Sequence, residues 1–292
     1  DSRAFSFDII PSAQIDNMQI VKTPSPEYPA DYTGGFVLVN TKDIPVGNMF
    51  QVSVGGNWNT ASVFKDFQYA KGSSTDFLGF DGGLRNLDGG FRTSLRPIGN
   101  GGTDLQGNGL NNDWLIKSMK PWGDLKLSAN LGRRWKLGEN QMGMIAALNY
   151  TNEYRTFSDM QNNQFGVYDK RNDRSIYLSN SLDNQYNHNA RLGAMLNLTL
   201  LTADGNSKYQ FKNIFNQIGN DRYTSRQGVD EQNNQTRSAE YYYRSRTTYN
   251  GQFTGKHTLK SDELDWSLSY SYANRKVPDR RRYLQNDALE TG

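Results

Sequence analysis

The sequence contains no cysteine and only two histidines among its 292 residues. Without cysteine, neither a disulfide framework nor a thiolate metal site can form. His188 and His257 stand in different segments without the spacing of metal ligands, and no serine carries a nucleophile–base signature. The sequence therefore predicts no enzyme, with no catalytic residue, no bound metal and no cofactor. We expect both histidines to be structural residues of strands.

Long apolar runs are also missing, since none approaches the about eighteen residues of a transmembrane helix. The mean hydropathy is −0.80, yet aromatic residues make up 12 % of the chain, which is far more than disordered segments contain. A net charge of +3 is too small to indicate nucleic-acid binding. A polar lumen, polar loops and aromatic girdles give outer-membrane β-barrels this composition.

Alternation of apolar and polar residues at period two is the strongest pattern present. In the segment 124–137 only Arg133 interrupts the apolar face. Its apolar positions are Leu125, Leu127, Ala129, Leu131, Trp135 and Leu137. A strand of this kind suits a wall between lipid and water, because a closed barrel satisfies every backbone hydrogen bond inside the bilayer. The same alternation predicts seven strands, at 49–58, 124–137, 141–151, 191–201, 208–218, 240–259 and 264–274.

The predicted strands are joined by two kinds of connection. Short turns at 138–140, 203–206 and 261–263 carry typical turn residues, and we expect them on the periplasmic side. Long polar connections at about 59–123, 152–186 and 219–239 are expected to be extracellular loops. The segment 62–70 also alternates, and we place it inside the first long loop. An extended first strand pair is the alternative.

Seven strands are too few for an even-numbered bacterial barrel, and an open sheet would leave its edges unpaired in lipid. We therefore expect a partial segment of a larger barrel, with more strands after the basic stretch 280–282. Because the chain begins at Asp1 without a signal peptide, we expect a processed or truncated product.

Residues 10–48 differ from the rest of the chain. Two apolar segments flank a proline-rich connection that ends in a glycine pair, which permits tight turning. In this order they resemble the C-terminal end of the plug domain of TonB-dependent outer-membrane receptors. The positions that match are Val21 and Lys22 at the end of one strand, the pair Gly34 and Gly35, and Thr41 and Lys42 at the end of the next. Residues 23–32 and 76–83 are similar to receptors of Bacteroidetes-type bacteria.

The resemblance implies an all-β membrane protein of the Gram-negative outer membrane, with an N-terminal plug inside a large antiparallel barrel of 22 strands. Residues 1–48 would be the end of the plug and 49–292 the first part of the barrel. The implied function is active uptake of a scarce nutrient, such as a siderophore, cobalamin, glycan or peptide. The energy would come from the TonB–ExbB–ExbD complex, through residues outside this chain.

Two other functions fit the same pattern. A non-transporting barrel could serve as a subunit of a larger outer-membrane assembly, with other outer-membrane subunits as its partners. A surface lipoprotein is a possible partner of the transporter. A passive porin would lack the plug that residues 10–42 indicate. In all three cases the barrel would contact the lipid bilayer. The loop sequences do not identify a substrate.

Basic residues recur on the polar side of the predicted strands, where they would face a lumen. They are Lys126, Arg134, Lys136, Arg191, Lys212, Arg244 and Arg246. A basic lumen would attract anionic ligands. Alternatively, these side chains pair with acids of the plug, of neighbouring strands or of the rest of the barrel. In the first long connection, Asp76, Asp81, Asp88 and Asp104 offer oxygens, but their spacing matches no known calcium loop.

Overall fold

The computed structural model describes residues 15–23, 35–41, 44–86, 96–98, 102–104 and 113–286. These residues form β-strands, turns and one short 3-10 turn at Asp76–Leu78. The strands are β1 Ile15–Val21, β2 Phe36–Thr41, β3 Met49–Gly55, β4 Phe67–Ala70, β5 Arg96–Ile98, β6 Gly102–Asp104, β7 Ile116–Met119, β8 Leu125–Leu137, β9 Asn140–Asp169, β10 Arg174–Leu201, β11 Ser207–Val229, β12 Gln235–Leu259 and β13 Asp262–Asn286. In this part of the chain no helix is long and apolar enough to cross a membrane.

One antiparallel sheet of seven strands dominates the fold. Its order is β3-β8-β9-β10-β11-β12-β13, so each strand pairs with the next one that reaches the sheet. The alternation pattern predicted these seven strands in this order, and the all-β architecture is confirmed. Within the described residues β3 and β13 do not pair with each other, so the sheet is open at both edges.

The three short turns lie together at one end of the sheet, as predicted. Asn140 accepts a hydrogen bond through its Oδ1 from the backbone N–H of Ala203 at 2.9 Å. The backbone N–H of Thr258 donates to the carbonyl of Asn206 at 2.8 Å. Gly138 in the first turn has a φ of +64°, in the left-handed region that glycine adopts without strain. We call this the turn end of the sheet.

The predicted loops at 152–186 and 219–239 are wrong. Strands β9 to β13 are 23 to 30 residues long, and most of both predicted loops continues the ladders. The actual connections are 170–173 and 230–234. Away from the turn end, polar and aromatic residues occupy both faces of the strands. Apolar alternation therefore ends although the backbone pairing continues, for example between Asn180 and Asn163.

The connection between β3 and β8 is a separate small structure. β4, inside the predicted segment 62–70, pairs with β7 and takes no part in the large sheet, so its placement within the connection is confirmed. We call residues 56–86 and 113–124 the collar. The collar packs on the large sheet through Phe67, which is 1 % exposed and contacts the rings of Tyr154 and Tyr186 with centroids 5.2 and 5.6 Å away.

The two faces of the large sheet differ in chemistry. One face, the apolar face, carries the odd-numbered residues of β8, and several large side chains on it are exposed: Phe50 is 72 %, Val54 72 % and Leu268 70 % exposed. The opposite, polar face carries Asn130, and there Ile145 and Thr199 are almost fully buried.

The segment that leads into β3 lies against the polar face. A Cβ added at Gly143 would lie 3.1 Å from the Cα of Ile44, and one added at Gly132 would lie 3.3 Å from the Cβ of Pro45. The two glycines therefore let the chain approach the sheet closely. The incoming chain thus reaches the sheet from the polar side, near the turn end.

Strands β1 and β2 form their own antiparallel ladder, in which Val21 pairs with Phe36. Gly35 has a φ of +152°, and a Cβ there would lie 3.2 Å from the carbonyl oxygen of Val21. This supports the use of glycine at that position of the motif. Lys22 and Thr41 also lie in the described part, whereas Gly34 and Lys42 lie outside it.

Candidate functional site

The register places all seven predicted basic residues on the polar face, and it brings three of them into one row across the strands. Lys126 pairs with Thr151, which also pairs with Arg191. Arg191 pairs with Ile218, and Ile218 pairs with Arg246. Neighbouring strands are about 4.8 Å apart, so successive cations of this row stand about 10 Å apart. That spacing suits contacts to one extended ligand.

The other four predicted residues are distributed differently. Arg244 lies one row farther from the turn end than Arg246, opposite Asn220. Lys212, Arg134 and Lys136 lie in three separate rows nearer the turn end, opposite Asn197, Gly143 and Gln141 respectively. The structure therefore does not bring Lys212, Arg134 and Lys136 into a common cluster. That the seven residues line an aqueous lumen stays a prediction.

Arg275, opposite Arg246, extends the row onto β13. Four more arginines share the polar face by register on the side of the row away from the turn end: Arg222, Arg226, Arg280 and Arg282. The sequence prediction missed them because it ended the strands at 218 and 274. Continuing the alternation of 208, 210 and 212 beyond 218 would have placed Arg222 and Arg226 on this face.

Glu240 is the centre of the added group. Its carboxylate accepts hydrogen bonds from Arg222 at 3.0 Å and from Arg280 at 3.0 Å, and the Nε of Arg282 lies 3.5 Å away. The ring of Tyr242 lies between two of these cations, with its centroid 4.8 Å from the guanidinium carbon of Arg222 and 5.3 Å from that of Arg280. One carboxylate therefore serves three guanidinium groups.

A second ion pair lies farther from the turn end than the group around Glu240. The guanidinium of Arg226 donates two hydrogen bonds to Asp183, at 2.7 and 2.8 Å, in the bidentate geometry that makes such pairs strong. Between the two ion-pair groups lies an open groove of about 490 Å³, whose lining includes Arg226, Glu240 and Arg282. The groove opens on the polar face.

We call eight arginines on this face the arginine patch. They are Arg191, Arg222, Arg226, Arg244, Arg246, Arg275, Arg280 and Arg282. Between the rows of Arg191 and Asp183 on β10 to β13, the only carboxylates that the described residues place on this face are Asp183 and Glu240. In the described part, no acid lies within ion-pair distance of Arg191, Arg244 or Arg246. Pairing with neighbouring strands thus accounts for only part of the patch.

The patch has donors left for a ligand. Arg191 and Arg244 are exposed and have no acidic partner in the described part of the chain. Guanidinium groups match the geometry of carboxylates and phosphates. The chemistry of the patch is therefore recognition of anions, without a group positioned for covalent catalysis in the described residues.

The remaining sequence-predicted positions have structural surroundings. His188 stacks on Tyr154, with ring centroids 4.6 Å apart, and its Nε2 lies 3.1 Å from Oδ1 of Asn152. His257 contacts Ser207 and Trp266 through its two ring nitrogens at 2.9 and 3.0 Å. The two histidines lie on β10 and β12, in different contacts.

The acids of the first connection do not form a calcium site where they are described. Asp76 and Asp81 both bind the guanidinium of Arg85, at 2.6 and 3.1 Å, so their oxygens already have a cation. Asp88 lies outside the described residues, and of Asp104 only the backbone is described. The described part holds no group of three or more potential metal ligands.

Comparison with known proteins adds no name to this geometry. The chain matches no protein-family model, no curated protein and no solved structure. The features that bear on function are therefore those of the sheet itself: its exposed apolar face near the turn end and the basic polar face behind it.

Proposed function

We propose that this chain is the end of a plug and the first seven strands of the barrel of a TonB-dependent transporter, which takes up a scarce nutrient across the bacterial outer membrane. The turn end would face the periplasm and the long strands would rise above the outer surface. The apolar face would contact lipid, and the polar face would line the lumen. The other strands of a 22-stranded wall would close the sheet between β3 and β13.

The observation that carries the proposal is the exposed apolar zone near the turn end. Apolar residues occupy the apolar face from Leu264 to Tyr272 on β13 and from Leu127 to Trp135 on β8, apart from Arg133. Each stretch is nine residues long, close to the about nine to eleven residues with which a tilted strand crosses a bilayer. In water, so many exposed large apolar side chains would make the sheet aggregate. In lipid they lie in their favoured solvent.

The plug end supports the transporter over a porin. Val21 and Thr41, two of the residues that match the plug motif, lie in the paired ladder of β1 and β2, and the chain later lies against the polar face at Ile44 and Pro45. A plug held inside a barrel must connect to the wall from the lumen side. A passive porin needs no such segment.

The arginine patch supports a ligand with several negative charges. Arg191, Arg244 and Arg246 have no acidic partner in the described part of the chain. A low-dielectric wall lined with one sign of charge also raises the local concentration of oppositely charged ligands. Carboxylates and phosphates are the groups that such a surface selects.

The test is a growth comparison of three strains across a panel of single nutrients: wild type, a deletion of the gene, and a variant whose TonB box is removed from the full-length protein. Transport predicts the same nutrient-specific defect in both altered strains, restored by the wild-type gene. A defect in the gene deletion alone would indicate a passive porin. Normal growth of both strains, with stable co-purifying membrane subunits, would indicate a structural barrel.

A further inference from the structure

The collar lies on the apolar face of the sheet, directly beyond the exposed apolar zone. The hydroxyl of Tyr150 donates to the carbonyl of Phe77 at 2.7 Å, and Phe80 stacks on Phe215 with ring centroids 6.5 Å apart. Toward the turn end from these contacts, Leu196, Phe211 and Leu268 of the same face are exposed. The collar therefore borders the zone that we assign to lipid.

Close contacts hold the collar in this position, just beyond the exposed apolar zone. Gly79, with a φ of +84°, touches Gly219 so closely that a Cβ added at Gly219 would lie 2.5 Å from the Cα of Gly79. Farther from the turn end, Trp114 contacts the rings of Tyr241 and Tyr283, with centroids 5.4 and 5.9 Å away. The hydroxyl of Tyr241 also donates to the carbonyl of Trp114 at 2.8 Å. The collar is thus a packed part of the structure.

Three aromatic side chains of the collar remain exposed and lie close together. Trp58 and Trp122 are each 65 % exposed and Phe64 is 57 % exposed. Trp58 and Phe64 contact each other edge to face, with ring centroids 5.4 Å apart. Phe64 is joined to the residue before Trp122 by a 2.8 Å hydrogen bond from its N–H to the carbonyl of Pro121. We call Trp58, Phe64 and Trp122 the aromatic rim.

The backbone turns Phe64 outward at a conformational cost. Its φ of 56° lies in the left-handed region, which residues other than glycine enter only when their surroundings impose it. The neighbours Ser62 and Val63 are buried. Residues held in this region cluster at functional sites, which makes the outward ring of Phe64 a candidate contact for a partner.

The exposed charged side chains of the collar are mainly positive, and Lys65 and Lys120 stand within two residues of Phe64 and Trp122 in the chain. In the described parts of the collar, the exposed charged residues are Lys65, Lys71, Lys117 and Lys120 with Asp66 as the single acid. The carboxylates of Asp76 and Asp81 are turned inward onto Arg85. Aromatic rings next to lysines suit the boundary between hydrocarbon and phosphate head groups.

We propose that the aromatic rim and its lysines bind the phosphate-bearing lipid head groups of the outer leaflet, so that the collar anchors the long strands at the membrane surface. This inference rests on the proposed membrane function. The continuity of the rim with the exposed apolar residues of β3 selects lipid as the occupant. Val54 belongs to that apolar zone, and Trp58 follows four residues later in the chain.

The test uses the full-length protein in lipid vesicles, with a fluorophore on a single cysteine at Trp58→Cys, at Trp122→Cys or, as a reporter of the apolar zone, at Leu268→Cys. The probe is quenching by lipids brominated near the head group or in the acyl chain. We expect head-group bromine to quench the two rim positions and acyl-chain bromine to quench the Leu268 position. A water-exposed control is Lys170→Cys, in the connection between β9 and β10.

The lysines are tested in vesicles with and without phosphatidylglycerol. Each Lys65→Gln or Lys120→Gln substitution should reduce the enrichment of phosphatidylglycerol around the rim label roughly fivefold, from about 1 kcal/mol per cation near an anionic surface. Lys136→Gln, at the turn end, is the matched control and should leave the enrichment unchanged.

The outcomes separate the two proposals. Quenching at the Leu268 position without quenching at either rim position would overturn the lipid anchor and leave the barrel intact. The same holds if the rim becomes protected only when another protein co-purifies. Absence of lipid quenching at all three positions would contradict the membrane function itself.

Discussion

The guanidinium carbon of Arg85 lies 3.8 Å from the ring centroid of Tyr243, which joins the collar to strand β12. Burial opposes the charge of Arg85, but hydrogen bonds to Asp76 and the negative charges of Asp221 and Asp76 raise its pKa above the ordinary value. Asp221 is 3.6 Å away on β11. Two strands of the sheet and two collar acids thus meet at one cation.

Replacement of this cation is expected to detach the collar. Arg85→Met would leave three carboxylates facing one another in a buried place, and removal of one partner of a buried ion pair costs roughly 3–5 kcal/mol. Hydrogen exchange of collar peptides in the full-length protein measures the free energy of local opening. We expect a loss of this size in the collar and little change at the turn end. Lys65→Met, at an exposed position, is the control, and equal protection in both variants would contradict the account.

The contact of Gly79 with Gly219 predicts that even one methyl group is harmful there. Gly219→Ala would place its Cβ 2.5 Å from the Cα of Gly79, and such overpacking costs typically about 1–3 kcal/mol. Gly55→Ala, where a Cβ meets nothing within 4 Å, is the matched strand control. Protease cleavage within 56–124 reports the displacement. If both variants are cleaved at the wild-type rate, the collar does not contact the sheet as described.

Phe67 is the main apolar anchor of the collar. Phe67→Ala would empty a buried place between Tyr154 and Tyr186, at a cost of about 3–5 kcal/mol. Phe77→Ala removes an equally large ring of the collar that is 52 % exposed and lies outside the aromatic rim, and its effect on the free energy of opening should stay within about 0.5 kcal/mol. Hydrogen exchange on the two variants gives the comparison. Similar losses of protection would argue against the burial of Phe67.

The arginine patch predicts a binding phenotype. The double variant Arg244→Gln and Arg246→Gln removes two cations without acidic partners in the described part, so binding of a polyanion such as citrate to the full-length protein should weaken and depend less on salt. Glu240→Gln removes the shared carboxylate and should strengthen the binding of citrate. Calorimetry on these variants, with Lys136→Gln as the control, decides the point. Unchanged citrate affinity in all of them would show that the patch is neutralised from elsewhere in the protein.

The sequence predicted the part of the fold where the two faces of the strands differ. The period-two pattern located the seven strands and the three short turns, because apolar and polar residues alternate along the strands near the turn end. It ended β11 at 218, since Asn220, Arg222 and Thr224 alternate with Gly219, Asp221 and Tyr223, and neither set is purely apolar. The missed arginines follow from that early end.

The collar could not be predicted for a different reason. Phe67 meets Tyr154 and Tyr186, and Arg85 meets Asp221 and Tyr243. These contacts join residues far apart in the chain, and no local period encodes them. Only the confinement of 62–70 to the first connection was accessible, from the number of strands that the sheet requires.

The most direct test of the membrane assignment compares two neighbouring residues of β13. Leu268 lies on the apolar face and Ser269 on the polar face, opposite Phe253 and Gln252 of β12. The measurement is labelling of Leu268→Cys and Ser269→Cys by a membrane-impermeant maleimide, in the full-length protein in isolated outer membranes. The account predicts labelling at position 269 and protection at position 268 until detergent replaces the lipid. Equal labelling of both cysteines before detergent is added would contradict it.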